Sequence, residues 1–291
     1  RGQSFEWSLA GPVATVVAAI AAGVLGVLLI LYAAKLLRHR DAVVAEFRHP
    51  VAGSVMATIP LSLLLAAVYY AESGHAGWLS LTLVALALQG VIALRVVRQL
   101  ATGDLPGPLV TPALYLPPVG GGLVGAMALG TQGYPGWAAL LFGMGLAGWA
   151  LLEVRVLNRL FEGAMPEALR PTIGVELAPA SVATLAAGVV WPALPGEVLI
   201  VGLGVAAGPV VAVAARYGWW GRVPFSLGFW SFSFPLAALA GATIEVVRRG
   251  GWPPVYGGVA LALATAAIAW LALLTVRLAA QGRLLPPPVA A

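Results

Sequence analysis

The sequence predicts an all-α polytopic membrane protein built from repeated helical hairpins, and three observations predict it. The 291 residues are 60% hydrophobic and only 9% charged, against about 25% charged for a soluble domain. Runs of about 20 apolar residues, the length that crosses a bilayer as a helix, recur from one end of the chain to the other. Proline pairs recur at the heads of alternate runs. A cleaved leader does not account for this pattern, because its one short apolar run would not repeat. The chain has no cysteine, which excludes disulfides, thiolate metal sites and thiol redox chemistry.

Nine spans are expected within a single transmembrane domain over residues 1–291. The first, 10–34, is an unbroken apolar run that stops at Lys35 and Arg38. The second, 51–71, opens behind Pro50 in FRHPVAGSVMATIPLSLLLAA, and the third, 77–98, closes on Arg95 and Arg98. The fourth, 109–130, carries TPALYLPPVGGGLVGAMA, and the fifth, 136–157, reaches Arg155. The sixth, 172–191, follows LRPTIGVELAPASVA, and the seventh, 197–215, ends before Arg216. The eighth, 225–246, begins FSLGFWSFSFPLAALA, and the ninth, 255–278, ends at Arg277. The connections alternate in charge. Thirteen of the sixteen basic residues fall on one set of span ends, and only Arg1, Arg248 and Arg249 fall on the other. The positive-inside rule makes the first set cytoplasmic, so the expectation is a multi-pass protein of the bacterial inner membrane with a cytoplasmic C-terminus. The N-terminus of this chain is then external, and with no Met or leader before it a tenth span is expected upstream, the alternative being a natural nine-span protein. The net charge of +5 forms no stripe, which argues against nucleic acid as a partner.

The prolines repeat as a unit. Pro50, Pro112, Pro171 and Pro224 start the even-numbered spans at intervals of 62, 59 and 53 residues, and a first-turn proline costs no hydrogen bond. Each is followed deeper in the span by another: Pro60, Pro117, Pro179 and Pro235. An interior proline frees the carbonyl four residues back and bends the helix, and in hydrocarbon that group needs a neighbouring helix or water. The four proline-bearing spans are therefore expected inside the bundle, and the straighter ones outside, facing lipid. Repeated hairpins of this kind read as pseudo-symmetry.

All four inner spans start at the basic face, so their positive dipole ends converge there beside Arg48, Arg170 and Arg222, the candidate pore-mouth cations. Small and hydroxylated residues such as Ser54, Thr58, Ser62, Ser181, Thr184, Ser231 and Ser233 suit either close helix packing or a narrow, nearly uncharged conduit. Glu176, five residues into its span, is a further pore-mouth candidate, and Glu245 lies near the far end of its own. Intramembrane carboxylates are functional candidates by default. His39, His49 and His75 lack metal-ligand spacing, so no metal is expected. No nucleophile elbow, P-loop or metalloprotease motif is present, and neither catalysis nor a cofactor is expected.

The segments AVVAEFRHPV (42–51), TPALYLPPV (111–119), ALRPTIGVELAPASVA (168–183) and FSLGFWSFSFPLAALA (225–240) resemble, in order, the signature segments of the tellurite-resistance/dicarboxylate transporter family. The TehA-like branch is nearest, with relatives among plant guard-cell slow anion channels and fungal malate and sulfite exporters. The resemblance covers essentially the whole chain. It implies ten helices as five hairpins in a pseudo-fivefold arrangement around a central pore, a homotrimer with one pore per subunit, and a pore-occluding Phe that acts as the gate. The matching position is Phe234, with Phe232 about 200° away around an ideal helix. Two departures stand out. The first span aligns with the family's second helix, and Pro235 follows the gate where bacterial relatives often carry Gly, which bears on local backbone mobility. The function expected is an anion channel or channel-like transporter whose partners are small inorganic or organic anions and the bilayer. The alternative is a proton-coupled C4-dicarboxylate or oxyanion (tellurite or sulfite) carrier, for which Glu176 is the titratable group best placed. A membrane protein with no anion path, structural or for drug efflux, is a third reading.

Overall fold

The computed structural model describes residues 10–71, 74, 75 and 77–284, and these form only helices and turns. Nine described segments are long and apolar enough to cross a membrane: Val13–Arg38, Pro50–Tyr70, Gly77–Thr102, Pro112–Thr131, Pro135–Phe161, Glu167–Val190, Gly196–Ala215, Leu227–Gly250 and Pro254–Ala280. The sixth begins at Glu167 rather than at residue 172, because EALRPTIGVEL winds as 3₁₀ turns ahead of the α-helix.

Inner and outer positions follow the prolines. In the most apolar stretch of each span, 78% of the fourth and 83% of the sixth is buried, against 28%, 17%, 17% and 11% of the third, fifth, seventh and ninth. The second and eighth are intermediate because they flank an opening. The inner spans pack in sequence, second on fourth, fourth on sixth and sixth on eighth, but the second and eighth share no extended interface among the described residues.

Prolines break these spans instead of bending them, which corrects the expectation of continuous bent helices. The second span is two helices, α3 (Pro50–Val55) and α4 (Thr58–Tyr70), preceded by α1 (Ala10–Arg38) and a short surface helix α2 (Arg40–Arg48). After α5 (Gly77–Thr102), the fourth span runs as 3₁₀ turns at Pro112–Tyr115, a wide π turn at Leu116–Gly120, then α6 (Gly121–Thr131). Past α7 (Pro135–Phe161), the sixth has 3₁₀ turns at Glu167–Leu177 and then α8 (Ala178–Val190). Beyond α9 (Gly196–Ala215) and α10 (Tyr217–Trp220), the eighth has 3₁₀ turns at Leu227–Phe232 and then α11 (Ser233–Gly250); α12 (Pro254–Ala280) closes the described chain.

Pro60, Pro179 and Pro235 therefore sit in the first turn of α4, α8 and α11, where a missing N–H leaves nothing unpaired. The carbonyl four residues earlier still needs a donor. The tightened i→i+3 pattern supplies one: Met56 O accepts from Ile59 N–H at 3.1 Å, Ala113 O from Leu116 N–H and Val175 O from Ala178 N–H. The i→i+3 turns just ahead of Pro60, Pro117 and Pro179 thus follow from the prolines, although the leading half of the second span, α3, is itself α-helical.

Side chains from the outer helices complete the accounting. Gln89 on α5 donates through Nε2 to Leu116 O at 2.8 Å and Pro117 O at 3.0 Å. Arg95, on the same helix, reaches Arg48 O, His49 O and Pro50 O at 3.3–3.4 Å, where α2 gives way to α3. Arg159 on α7 donates to Gly107 O and Gly163 O, both at 3.1 Å. Between α6 and α7 the backbones themselves meet: a Cβ on Gly122 would lie 2.6 Å from Gly145 Cα, so only glycine permits this crossing.

Gln89→Leu strips the Leu116 and Pro117 carbonyls of their side-chain donor; Pro117 O keeps the Gly121 N–H, so the loss falls mainly on Leu116 O, at about 1–3 kcal/mol. The variant is expected to unfold at clearly lower temperature than the parent in detergent. An unchanged melting temperature would show that those carbonyls do not depend on Gln89.

Candidate functional site

Three cavities follow one another along the inner spans. The first, about 420 Å³, is walled by α3 and α4, the 3₁₀ turns of the fourth, sixth and eighth spans, and the starts of α8 and α11. The second, about 20 Å³, is a constriction among Leu61, Leu116, Val119, Val175, Val182 and Phe234. The third, about 230 Å³, lies further along the same helices, between Leu65, Met127, Val182, Leu185 and Ala237. Phe234 borders all three. Its neighbour Phe232 turns the other way and is buried with Ile173, Leu177 and Val213, the opposite facing that helical geometry predicts.

No charged side chain lines the 420 Å³ cavity. Thr58, Ala178 and Ser233, the first residues of α4, α8 and α11, all do. Three helix N-termini thus converge on one space; Ile59, Ala178 and Ser233 N–H are already given to Met56 O, Val175 O and Trp230 O, so each start adds the weak positive field of its dipole and few free donors. The side-chain hydroxyls add less. Ser62 donates to Thr58 O, Thr172 to Leu169 O, Ser231 to Pro171 O and Ser233 to Trp230 O, at 2.5–2.8 Å, so their hydrogens are committed to the backbone. An anion here would meet a weakly positive, weakly donating wall.

Of the interior prolines, Pro235 lines the first cavity and Pro179 the constriction. Pro60 and Pro117 are buried in the walls behind, beside the lining residues Leu61 and Leu116. The three arginines are not part of the cavity lining. Arg170 donates to Met165 O at 3.3 Å and Trp219 O at 3.5 Å and lies over the Trp219 ring, so it staples two connections together. Arg48 and Arg222 are exposed.

Glu176 does not face the cavity either, although Val175 and Ala178 on the same turns do. It is 7% exposed and points into a polar cluster between the fourth, fifth and sixth spans. Tyr115 Oη donates to Glu153 Oε2 at 2.7 Å and lies 3.4 Å from Glu176 Oε1, while Trp149 Nε1 donates to the same Glu153 oxygen at 2.7 Å. Glu176 Oε2 is buried without a hydrogen-bond partner. Glu153 went unread in the sequence, and the signal for it was a carboxylate inside an otherwise apolar run. Glu245 pairs with Arg248 at 2.9 Å and Arg249 at 3.7 Å.

Glu153→Leu removes the acceptor of two buried donors and is expected to lower thermal stability well beyond Glu153→Gln, which keeps an acceptor oxygen. Equal melting curves for the two variants would dissociate the cluster from stability.

Comparison with known proteins adds to this geometry. The family model described as voltage-dependent anion channel matches residues 3–279. The tellurite resistance protein TehA homolog of Haemophilus influenzae is 28% identical over 240 residues, covering 78% of this chain and 70% of that protein.

Proposed function

The chain belongs to the voltage-dependent anion channel family, and from that premise we propose that it passes small anions along the axis of the three cavities, with Phe234 as the gate. The observation that carries the reading is the convergence of three helix N-termini on a cavity with no charged side chain. Half-helix dipoles favour an anion without trapping it, and conduction requires binding weak enough to release. An apolar ring across the 20 Å³ constriction excludes both water and ions until it is displaced.

A coupled carrier of C4-dicarboxylates or of oxyanions such as tellurite or sulfite is the second reading, and the tellurite name of the Haemophilus influenzae relative favours it. A dicarboxylate is best held by a cationic side chain, and a coupled carrier uses a titratable group in the path. The cavity wall has neither, which weights the balance toward a channel. Orientation with the basic face inward in a bacterial inner membrane rests on the charge asymmetry of the span ends. Assembly as a homotrimer with one conduit per subunit, and a pseudo-fivefold ring completed by a fifth inner span, rest on the family resemblance.

Phe234→Ala in planar bilayers is expected to raise anion current several-fold over the parent, with reversal potentials that follow the anion gradient. Phe232→Ala, which empties a packed site, is expected to destabilise the fold by about 3–5 kcal/mol without opening a current. Unaltered current in Phe234→Ala, with protein present and folded, would remove Phe234 as the gate.

A further inference from the structure

A groove of about 280 Å³ lies where the end of α12 meets the lead-in to the eighth span, away from the conduit. Phe225, Leu274 and Leu278 supply half-buried apolar walls; Arg277, Gln281 and Arg283 supply exposed polar ones. No acidic residue lines it.

Arg283 is delivered to the groove by the way the helix stops. Gly282 adopts φ +65°, a left-handed conformation that favours glycine. The N–H groups of Gln281, Gly282 and Arg283 then cap the carbonyls of Arg277, Ala279 and Leu278 at 3.0–3.1 Å. This Schellman-type reversal satisfies the helix end through its backbone, so the arginines are not needed as caps. Neither makes an ion pair among the described residues. The opposite wall is held by Trp230 Nε1, which donates to Thr275 Oγ1 at 2.9 Å and ties the eighth span to α12.

Two cations thus line one groove, and neither is paired with an acidic group among the described residues. Arg277 lies in the last turn of a membrane-spanning helix, the depth at which lipid phosphates sit, and the neighbouring Leu273 and Val276 are exposed on the same helix. Phosphate suits a guanidinium pair, and apolar walls just below suit the first acyl carbons. A zwitterionic headgroup would add a positive charge to a site that already has two.

We propose that this groove is a binding site for an anionic phospholipid, with Arg277 and Arg283 on the headgroup phosphate and Phe225, Leu274 and Leu278 against the upper acyl chain. The site is independent of the conduction reading.

The test is native mass spectrometry of the full chain with phosphatidylglycerol or phosphatidylcholine of matched acyl chains. The parent is expected to retain phosphatidylglycerol in preference to phosphatidylcholine. R277Q/R283Q is expected to lose about tenfold in phosphatidylglycerol retention. R38Q/R40Q, which removes the same charge elsewhere on the basic face, is expected to leave retention unchanged. Leu278→Trp, which fills the apolar wall and keeps both charges, is expected to lower it. The proposal is overturned by equal retention of the two lipids in the parent, by a loss in R38Q/R40Q as large as in R277Q/R283Q, or by full retention in Leu278→Trp.

Discussion

A proline inside a membrane span leaves a carbonyl without its donor, and hydrocarbon contains no water to replace it. Most of this structure answers that constraint. Met56, Ala113 and Val175, each four residues ahead of an interior proline, accept instead from an N–H three residues on, which goes with a tight turn between α3 and α4 and with 3₁₀ geometry in the leading halves of the other inner spans, and an α-helix restarts behind each. Because 3₁₀ turns and π turns leave further carbonyls poorly paired, these spans cannot face lipid. Gln89 and Arg95 on the third span supply further donors to the fourth and second spans, and Arg159 on the fifth ties down the connections at Gly107 and Gly163, so the arrangement of inner and outer helices is also a hydrogen-bond arrangement.

The same breaks shape the cavity. A continuous helix has its positive end at the membrane surface, whereas a helix restarted at Thr58, Ala178 or Ser233 has it in the interior. Those three residues line one space. The hydroxyls of Ser62, Thr172, Ser231 and Ser233 are turned to the backbone, and no charged side chain lines that space, so what acts on a solute is chiefly the field of the helix starts and the width of the passage. Specific recognition of a particular anion has little to work with here, while passage of many small anions has enough.

The legible part of the fold was the part written in local chemistry. Apolar runs marked the nine spans, and paired prolines at Pro50 and Pro60, Pro112 and Pro117, Pro171 and Pro179 marked the ones that are broken and hence internal. What stayed hidden depends on partners far apart in the chain. Gln89 meets carbonyls 27 and 28 residues away, and Arg95 reaches back 45 to 47, so neither polar residue announced its role. Arg170, expected at the pore mouth, also donates to the carbonyls of Met165 and Trp219, a structural engagement that the sequence did not show. Glu176, a pore-mouth candidate in the sequence, lies beside Tyr115 Oη, away from the cavity lining. Helical phase alone could not tell which side, because its span is 3₁₀ at that point. Phe234 came from family resemblance, and no pattern in WSFSFP by itself separates it from Phe232.

The central claim is that one face of the sixth span borders a passage open to small anions and the opposite face does not. The chain has no cysteine of its own, so single cysteines can be read without background by their reaction with a small, membrane-impermeant anionic thiosulfonate. Thr172→Cys and Val175→Cys, on the cavity wall, are predicted to react, whereas Ile173→Cys and Leu177→Cys, packed against Val213 and Phe232, are predicted to stay unmodified. Equal reactivity on both faces, or modification of the second pair alone, would contradict the account.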